Sequence, residues 1–245
     1  LERWVLHRLH QLDGLIREAI ENYDFTRIYS ALYNFCIVDL SSFYFDIRKD
    51  SLYCDSGDSV RRRAARTVLD HLFHCLTAWL APILVFTAEE AWLTRFPGDD
   101  ESVHLRQFPD IPAAWENESL AAKWARVRRV RRVVTGALEL DRREKRIGAS
   151  LQAAVTVHVA DAADRAAFDG VDLAEIAITS AARIVGDDAP GAAFRLDDVA
   201  GVAAVTALAD GGKCQRCWQV LPEVDTRPDA DDLCGRCAEA IERVA

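Results

Sequence analysis

The stretch Trp124-Ala125-Arg126-Val127-Arg128-Arg129-Val130-Arg131-Arg132-Val133-Val134 sets an apolar residue at nearly every third or fourth position and fills the intervals mainly with arginine. That period is one face of an α-helix turned toward a core, with cations on the remaining faces. Carried outward through Leu120 and Leu138, it predicts a single helix over residues 116–143. Arg128 and Arg132 lie four residues apart and so share a face. The same spacing recurs toward the N-terminus. Val5, Leu9, Leu12, Ile16 and Ile20 predict a helix over 1–22. Asp24 is a good N-cap for a second, with Phe25, Ile28, Leu32 and Phe35 on one face and an end near Phe43 or Phe45. Residues 50–58 hold Asp, Ser and Gly and read as a loop. A third helix fills 59–80, and Pro82 suits the first turn of a fourth that reaches about Arg95. Phe108-Pro109-Asp110-Ile111-Pro112 is an extended connector, because proline disfavours helix in the residue before it. Residues 1–148 thus read as an all-α bundle.

The pattern changes at Gly148. Residues 153–159 alternate as a strand, Asp161 caps a short helix to Phe168, residues 173–178 are ambiguous, 193–196 alternate too briefly for a strand, and 201–208 form another strand. Residues 149–208 are therefore a small mixed α/β domain. Gly211-Gly212 then punctuates the chain, and 209–245 form a third piece built on cysteine.

That piece holds Lys213-Cys214-Gln215-Arg216-Cys217-Trp218 and Cys234-Gly235-Arg236-Cys237, two Cys-x-x-Cys pairs sixteen residues apart. This is the spacing of a four-thiolate zinc site. Each pair lets one turn present two sulfurs to a metal about 2.3 Å away, and four protein ligands leave no position open for water, so such a site is structural. Lys213, Arg216 and Arg236 would offset the net −2 that four thiolates and Zn²⁺ carry. The ion would also supply stability that a short tail with few apolar residues lacks. A redox dithiol and iron in the same cage are the rivals. Trp218 has two readings, a cover for the metal-binding turn or a platform on which a base stacks.

The remaining features bound the function. The chain has 245 residues, 50% hydrophobic and 28% charged, which excludes disordered, collagen-like and disulfide-dense classes. No apolar run approaches the ~18–20 residues of a membrane helix, and the charged N-terminus is no secretory signal. Seven cysteines, an odd number, without such a signal point to a reducing compartment, the cytoplasm. The absence of methionine reads as the mark of a piece cut from a longer protein. The net charge of −9 argues against a general nucleic-acid binder, yet residues 123–146 carry +7 and leave −16 for the rest. Such a stripe can favour a polyanion locally or be a solvated helix face. Arg61-Arg62-Arg63 with Arg66 is a second basic run, which a phosphate contact or an exposed turn would explain. His71, His74 and Cys75 sit among Leu72, Phe73 and Leu76 and read as packing rather than as ligands. No catalytic constellation is present.

Longer motifs resemble a known family. Asn34-Phe35-Cys36-Ile37-Val38-Asp39-Leu40-Ser41-Ser42-Phe43-Tyr44-Phe45 and its continuation to Tyr53 look like the anticodon-binding helical domain of bacterial isoleucyl-tRNA synthetases. So do Trp79-Leu80-Ala81-Pro82-Ile83-Leu84 and Phe86-Thr87-Ala88-Glu89-Glu90-Ala91-Trp92; Arg146-Ile147-Gly148-Ala149-Ser150-Leu151-Gln152-Ala153 resembles the exit from that domain. The two cysteine pairs resemble the family's C-terminal zinc module. The proline and Thr-Ala-Glu-Glu motifs are shared with the valine and leucine enzymes; their combination with Lys-Cys-x-Arg-Cys-Trp is much more specific to the isoleucine enzyme.

The resemblance implies a mainly α fold: a helical-bundle anticodon-binding domain, a small α/β junction domain and a C-terminal four-cysteine zinc module. It implies a parent that attaches isoleucine to tRNA(Ile) with ATP, and Mg²⁺ and ATP sites in a catalytic part whose signatures this sequence lacks. The chain itself would be a catalytically inactive monomer that binds the anticodon stem-loop and no membrane, with one structural Zn²⁺ on Cys214, Cys217, Cys234 and Cys237. Candidate RNA contacts are Lys213, Arg216, Trp218, Arg236, Arg128 and Arg132. A zinc-stapled protein-interaction scaffold without RNA specificity is the alternative.

Overall fold

In a computed structural model, residues 1–226 and 232–243 are described. They form two compact units, one of residues 1–48 and 60–118, the other of 49–59 and 119–245 as far as described. The fold is mainly α, as the apolar periods require.

The first unit is a helical bundle. Helix α1 (Glu2–Glu21) buries Val5, Leu9, Leu12 and Ile16 of the expected stripe, together with Trp4, His7 and Ala19, while Ile20 is only half-buried. Asp24 caps α2 (Phe25–Asn34) by accepting from the backbone N–H of Arg27 at 3.0 Å. Ile28 and Leu32 are buried on that helix, whereas Phe25, expected on the same face, is half exposed. The chain continues helically past Phe35, but residues Phe35–Phe45 wind as a π-helix and bury Phe35, Asp39, Leu40, Phe43 and Tyr44. An α-periodic reading cannot register this wider winding. Helix α3 (Asp46–Cys54) follows, so the loop expected over 50–58 shrinks to its second half. Asp50, locally a turn former, sits inside the helix because its carboxylate is held by a distant arginine.

Helix α4 (Val60–Leu80) packs on α1 and on α5 (Val85–Arg95). The expected start of α5 at Pro82 is corrected. Leu80 O accepts from the N–H groups of Ile83 and Leu84, closing a turn that holds the proline, and the helix begins after it. Trp92 and Ala88 of α5 are buried with Ala81 and Val103, against Phe73 and Phe96. His74 stacks on Phe96 and meets Trp92 edge-on, both at 5.6 Å, and His71 packs edge-on to Trp115 at 4.9 Å. These histidines pack, as read from their apolar neighbours. The connector through residues 106–112 is extended, as its prolines dictate.

In the second unit, α6 (Glu118–Arg143) buries Trp124, Val127, Val130, Val134 and Leu138. Strand β1 (Ala153–Val159) is central in a three-stranded sheet. It pairs in parallel with β2 (Ala181–Val185) and antiparallel with β3 (Val202–Leu208). The parallel pair requires a crossover. Two short helices supply it: α7 (Ala162–Ala166), capped by Asp161, and α8 (Leu173–Ala177), capped by Asp172. The ambiguous stretch 173–178 is thereby resolved as helix to Ala177, with Ile178 as its left-handed cap. Residues 193–196 contribute one antiparallel bridge, Phe194 to Ala204. A small hairpin, β4 (Gly212–Lys213) with β5 (Val220–Leu221), opens the cysteine module, and α9 (Gly235–Glu242) closes its described part. Gly211 (φ +113°) leads into the hairpin; a Cβ there would lie 2.2 Å from the carbonyl carbon of Leu221. Ser180 Oγ accepts from the Val220 N–H at 2.7 Å and fastens the hairpin to the sheet.

Candidate metal centre and nucleic-acid face

Each Cys-x-x-Cys pair is set by a local turn. In the first, Trp218 N–H donates to Cys214 O at 2.9 Å; in the second, Cys234 is the N-cap of α9 and Cys237 lies in that helix. The pairs meet: the four sulfurs lie within 4.8 Å of one another and all four residues are buried. Cys217 Sγ and Cys234 Sγ are 3.7 Å apart. A tetrahedral ion with Zn–S bonds near 2.3 Å sets its sulfurs about 3.8 Å apart. The donor set and its spacing fit one structural Zn²⁺, with no place left for a reactive water.

The electrostatics agree. Burial works against ionising the Cys214 thiol, but backbone N–H groups of Cys217, Cys234 and Arg216 outweigh it and bring the thiol down to about 6. Burial pushes Cys217 up to about 12, and Cys234 and Cys237 up to about 11. Four thiols packed this closely cannot all ionise unaided; a divalent cation supplies the missing positive charge.

The surrounding arginines carry the module's attachments. Arg216 donates from Nη2 to Tyr53 O at 3.0 Å and from Nη1 to Cys54 O, covering the C-terminal carbonyls of α3, and the same Nη1 lies 3.7 Å from Cys237 Sγ. Arg236 grips Asp50 with both Nη atoms and reaches Asp55 at 3.1 Å. Arg243 pairs with Asp58 at 2.8 Å. Cys54 belongs to the same buried cluster as the four cysteines. Segment 49–59 therefore packs against this module. No local sequence signal announces that; the complementary charges of Asp50, Asp55 and Asp58 are its only trace.

Lys213 and Trp218 face outward. The indole is 62% exposed, and its residue holds a left-handed backbone (φ +66°). Lys213 Nζ lies 5.7 Å from its ring centre, so a cation and an aromatic plane are presented side by side.

The arginine stripe of α6 is engaged mostly within its own unit. Arg126 and Arg129 both hold Asp164, whose side chain is fully buried. Arg131 donates to Ile176 O, Lys123 to Asp169 O, and Arg132 pairs with Asp198 at 2.6 Å. Arg142 pairs with Glu139, and Arg146 with Asp141 and Glu144. The stripe thus reads acidic groups and carbonyls of the α/β segment, a third reading beside polyanion seat and solvated face. Arg128 is half-buried and Arg132 exposed. The structure brings together Cys214, Cys217, Cys234, Cys237, Lys213, Arg216, Trp218 and Arg236; Arg128 and Arg132 stand apart from them on α6.

Comparison with known proteins adds two family matches. Residues 2–157 match the anticodon-binding domain of tRNA ligases, and residues 211–240 match a zinc finger found in FPG and IleRS. The chain is 54% identical over its full length to an isoleucine–tRNA ligase of Agrobacterium fabrum. It is 57% identical over 98% of its length to one of Ruegeria pomeroyi, and 51% over 98% to one of Caulobacter vibrioides. In each case it spans 25% of the relative, so it corresponds to about a quarter of these curated proteins.

Proposed function

We propose, from the premise that the chain belongs to the anticodon-binding-domain family of tRNA ligases, that it is the part of an isoleucyl-tRNA synthetase that holds the anticodon arm of tRNA(Ile). The observation that carries the reading is the pairing of that domain with a four-cysteine zinc module whose exposed face offers Trp218 beside Lys213. Cys214, Cys217, Cys234 and Cys237 hold the ion. The ion fixes the turn that displays the indole, and an unpaired base of the anticodon loop stacks there while Lys213 meets a phosphate. Arg128 and Arg132 are further candidate contacts on α6. Arg216 and Arg236 act chiefly by anchoring the module. Activation of isoleucine with ATP and Mg²⁺ belongs to the catalytic part of such an enzyme, and this segment works as a monomer in the cytoplasm.

Trp218→Ala tests the reading. The side chain is exposed, so the fold and zinc content stay unchanged. Affinity for the anticodon arm drops by about 1–3 kcal/mol, the value of one stacked base. Titration of labelled RNA at fixed salt measures it. Unchanged affinity in a variant that still binds RNA would remove Trp218 from the contact.

A further inference from the structure

Two arginines of the basic run at the start of α4, Arg63 and Arg66, belong to none of the contacts above. Arg63 and Arg66 are exposed and carry no side-chain hydrogen bond or ion pair among the described residues. They line an open groove of about 620 Å³ between α4 and the end of α5, whose far side is Arg95. Arg95 is held in place: it pairs with Asp70 and lies over the rings of Phe73 at 4.6 Å and Phe96 at 5.2 Å. The lining thus holds three arginines against one carboxylate, Asp70, a net +2.

A groove with this lining suits a particular chemistry. Arg63 and Arg66 are one turn apart on a helix, about 5–6 Å between Cβ atoms, a separation at which like charges repel and a bridging anion relieves them. Guanidinium groups match phosphate oxygens with two parallel hydrogen bonds. The groove is open rather than enclosed, which leaves room for a chain running along it, and Leu69 and Phe73 in its lining offer apolar surface to a sugar or base. Exposed arginines kept unpaired in a chain with nine excess negative charges stand out against that background.

We infer that the groove of Arg63, Arg66 and Arg95 is a second RNA contact, which seats the phosphodiester backbone of the bound RNA without reading its bases. The inference rests on the RNA-binding reading above and adds a site to it. Its contribution is electrostatic, so it sets how steeply affinity falls with salt and not which anticodon is chosen.

The test uses the zinc-loaded 245-residue chain and the whole tRNA, with affinity measured across a salt series. Each phosphate contact contributes about 0.7–0.9 to the slope of log K against log salt. The double variant Arg63→Gln/Arg66→Gln is expected to lower the slope by about 1.4–1.8, and affinity near 0.1 M salt by about 25–60-fold. The loss is equal for the cognate RNA and for one with a changed anticodon. Arg63→Lys/Arg66→Lys, which keeps the charges, retains most of the slope. Circular dichroism and zinc content stay at the wild-type values in both. A wild-type slope in the glutamine variant, with RNA still bound, overturns the inference and leaves the anticodon reading standing. No RNA binding by the wild-type chain at low salt overturns both.

Discussion

Replacing Cys234 by serine strips the ion from the C-terminal module and unfolds it, while the helices of residues 1–48 and 60–118 keep their structure. Structural zinc in small finger domains is bound with about 10–16 kcal/mol; one ligand's share, roughly 3–4 kcal/mol, corresponds to several hundredfold in metal affinity. The module's apolar core is small, and its arginine attachments hold it to segment 49–59 without filling that core. Its buried cluster is Cys54, Val224 and the four cysteines, with Leu221 and Leu233 at the edge. Without the ion, the burial that raises Cys217, Cys234 and Cys237 leaves them as neutral thiols around one ionisable sulfur. Zinc per chain and hydrogen exchange resolved along the sequence measure the outcome: loss of protection over 212–221 and 235–242, and unchanged protection in α1, α4 and α5. Retained zinc with a protected tail, or a collapse of helical signal throughout, contradicts the account.

Asp164→Asn is expected to cost the second unit about 3 kcal/mol. The carboxylate is fully buried and receives Arg126 and Arg129 from α6. Removing one partner of a buried pair typically costs about 3–5 kcal/mol; the lower end applies because both guanidinium groups reach solvent. The effect depends on pH. Burial would raise the Asp164 pKa, but hydrogen bonds and charge from Arg129 and Arg126 prevail and hold it below the usual carboxylate value of 3.8. A depressed folded-state pKa gives stability that is fully present above the unfolded value and is lost as pH falls through the folded one. Urea unfolding should therefore separate wild type from variant fully near pH 6–7, with the gap closing below about pH 4. A gap that persists undiminished into that acid range would show that the pair's charge is not its source.

Why some elements are legible and others are not follows from the range of the forces that form them. Strand β1 is plain in Ala153-Ala154-Val155-Thr156-Val157-His158-Val159 because inward and outward positions alternate in the chain itself. α1 and α6 are equally plain, each having one apolar face. The metal centre is legible because the chelate requires two Cys-x-x-Cys turns whatever surrounds them. β2 is not: Ala181–Val185 is short, largely uncovered, and carries Arg183, whose partner Thr156 lies on the neighbouring strand. The π-winding of Phe35–Phe45 escapes because this segment is apolar nearly all round and selects no period. Asp50 and the stripe arginines mislead for a shared reason. Read locally, a carboxylate suggests a turn and a run of arginines a polyanion or a solvated face, and the intramolecular partners of Asp50, Arg129 and Arg132, namely Arg236, Asp164 and Asp198, lie too far along the chain to be read there. Charge pairing at long range leaves no period in the sequence, only a balance of signs.

The decisive measurement is equilibrium binding of the zinc-loaded chain to two RNAs that differ in the anticodon alone, one carrying an isoleucine anticodon. The account predicts tighter binding of the isoleucine RNA at every salt concentration, with both affinities falling as salt rises. Equal affinities, or negligible binding of either at low salt by a folded chain containing one zinc, would contradict it.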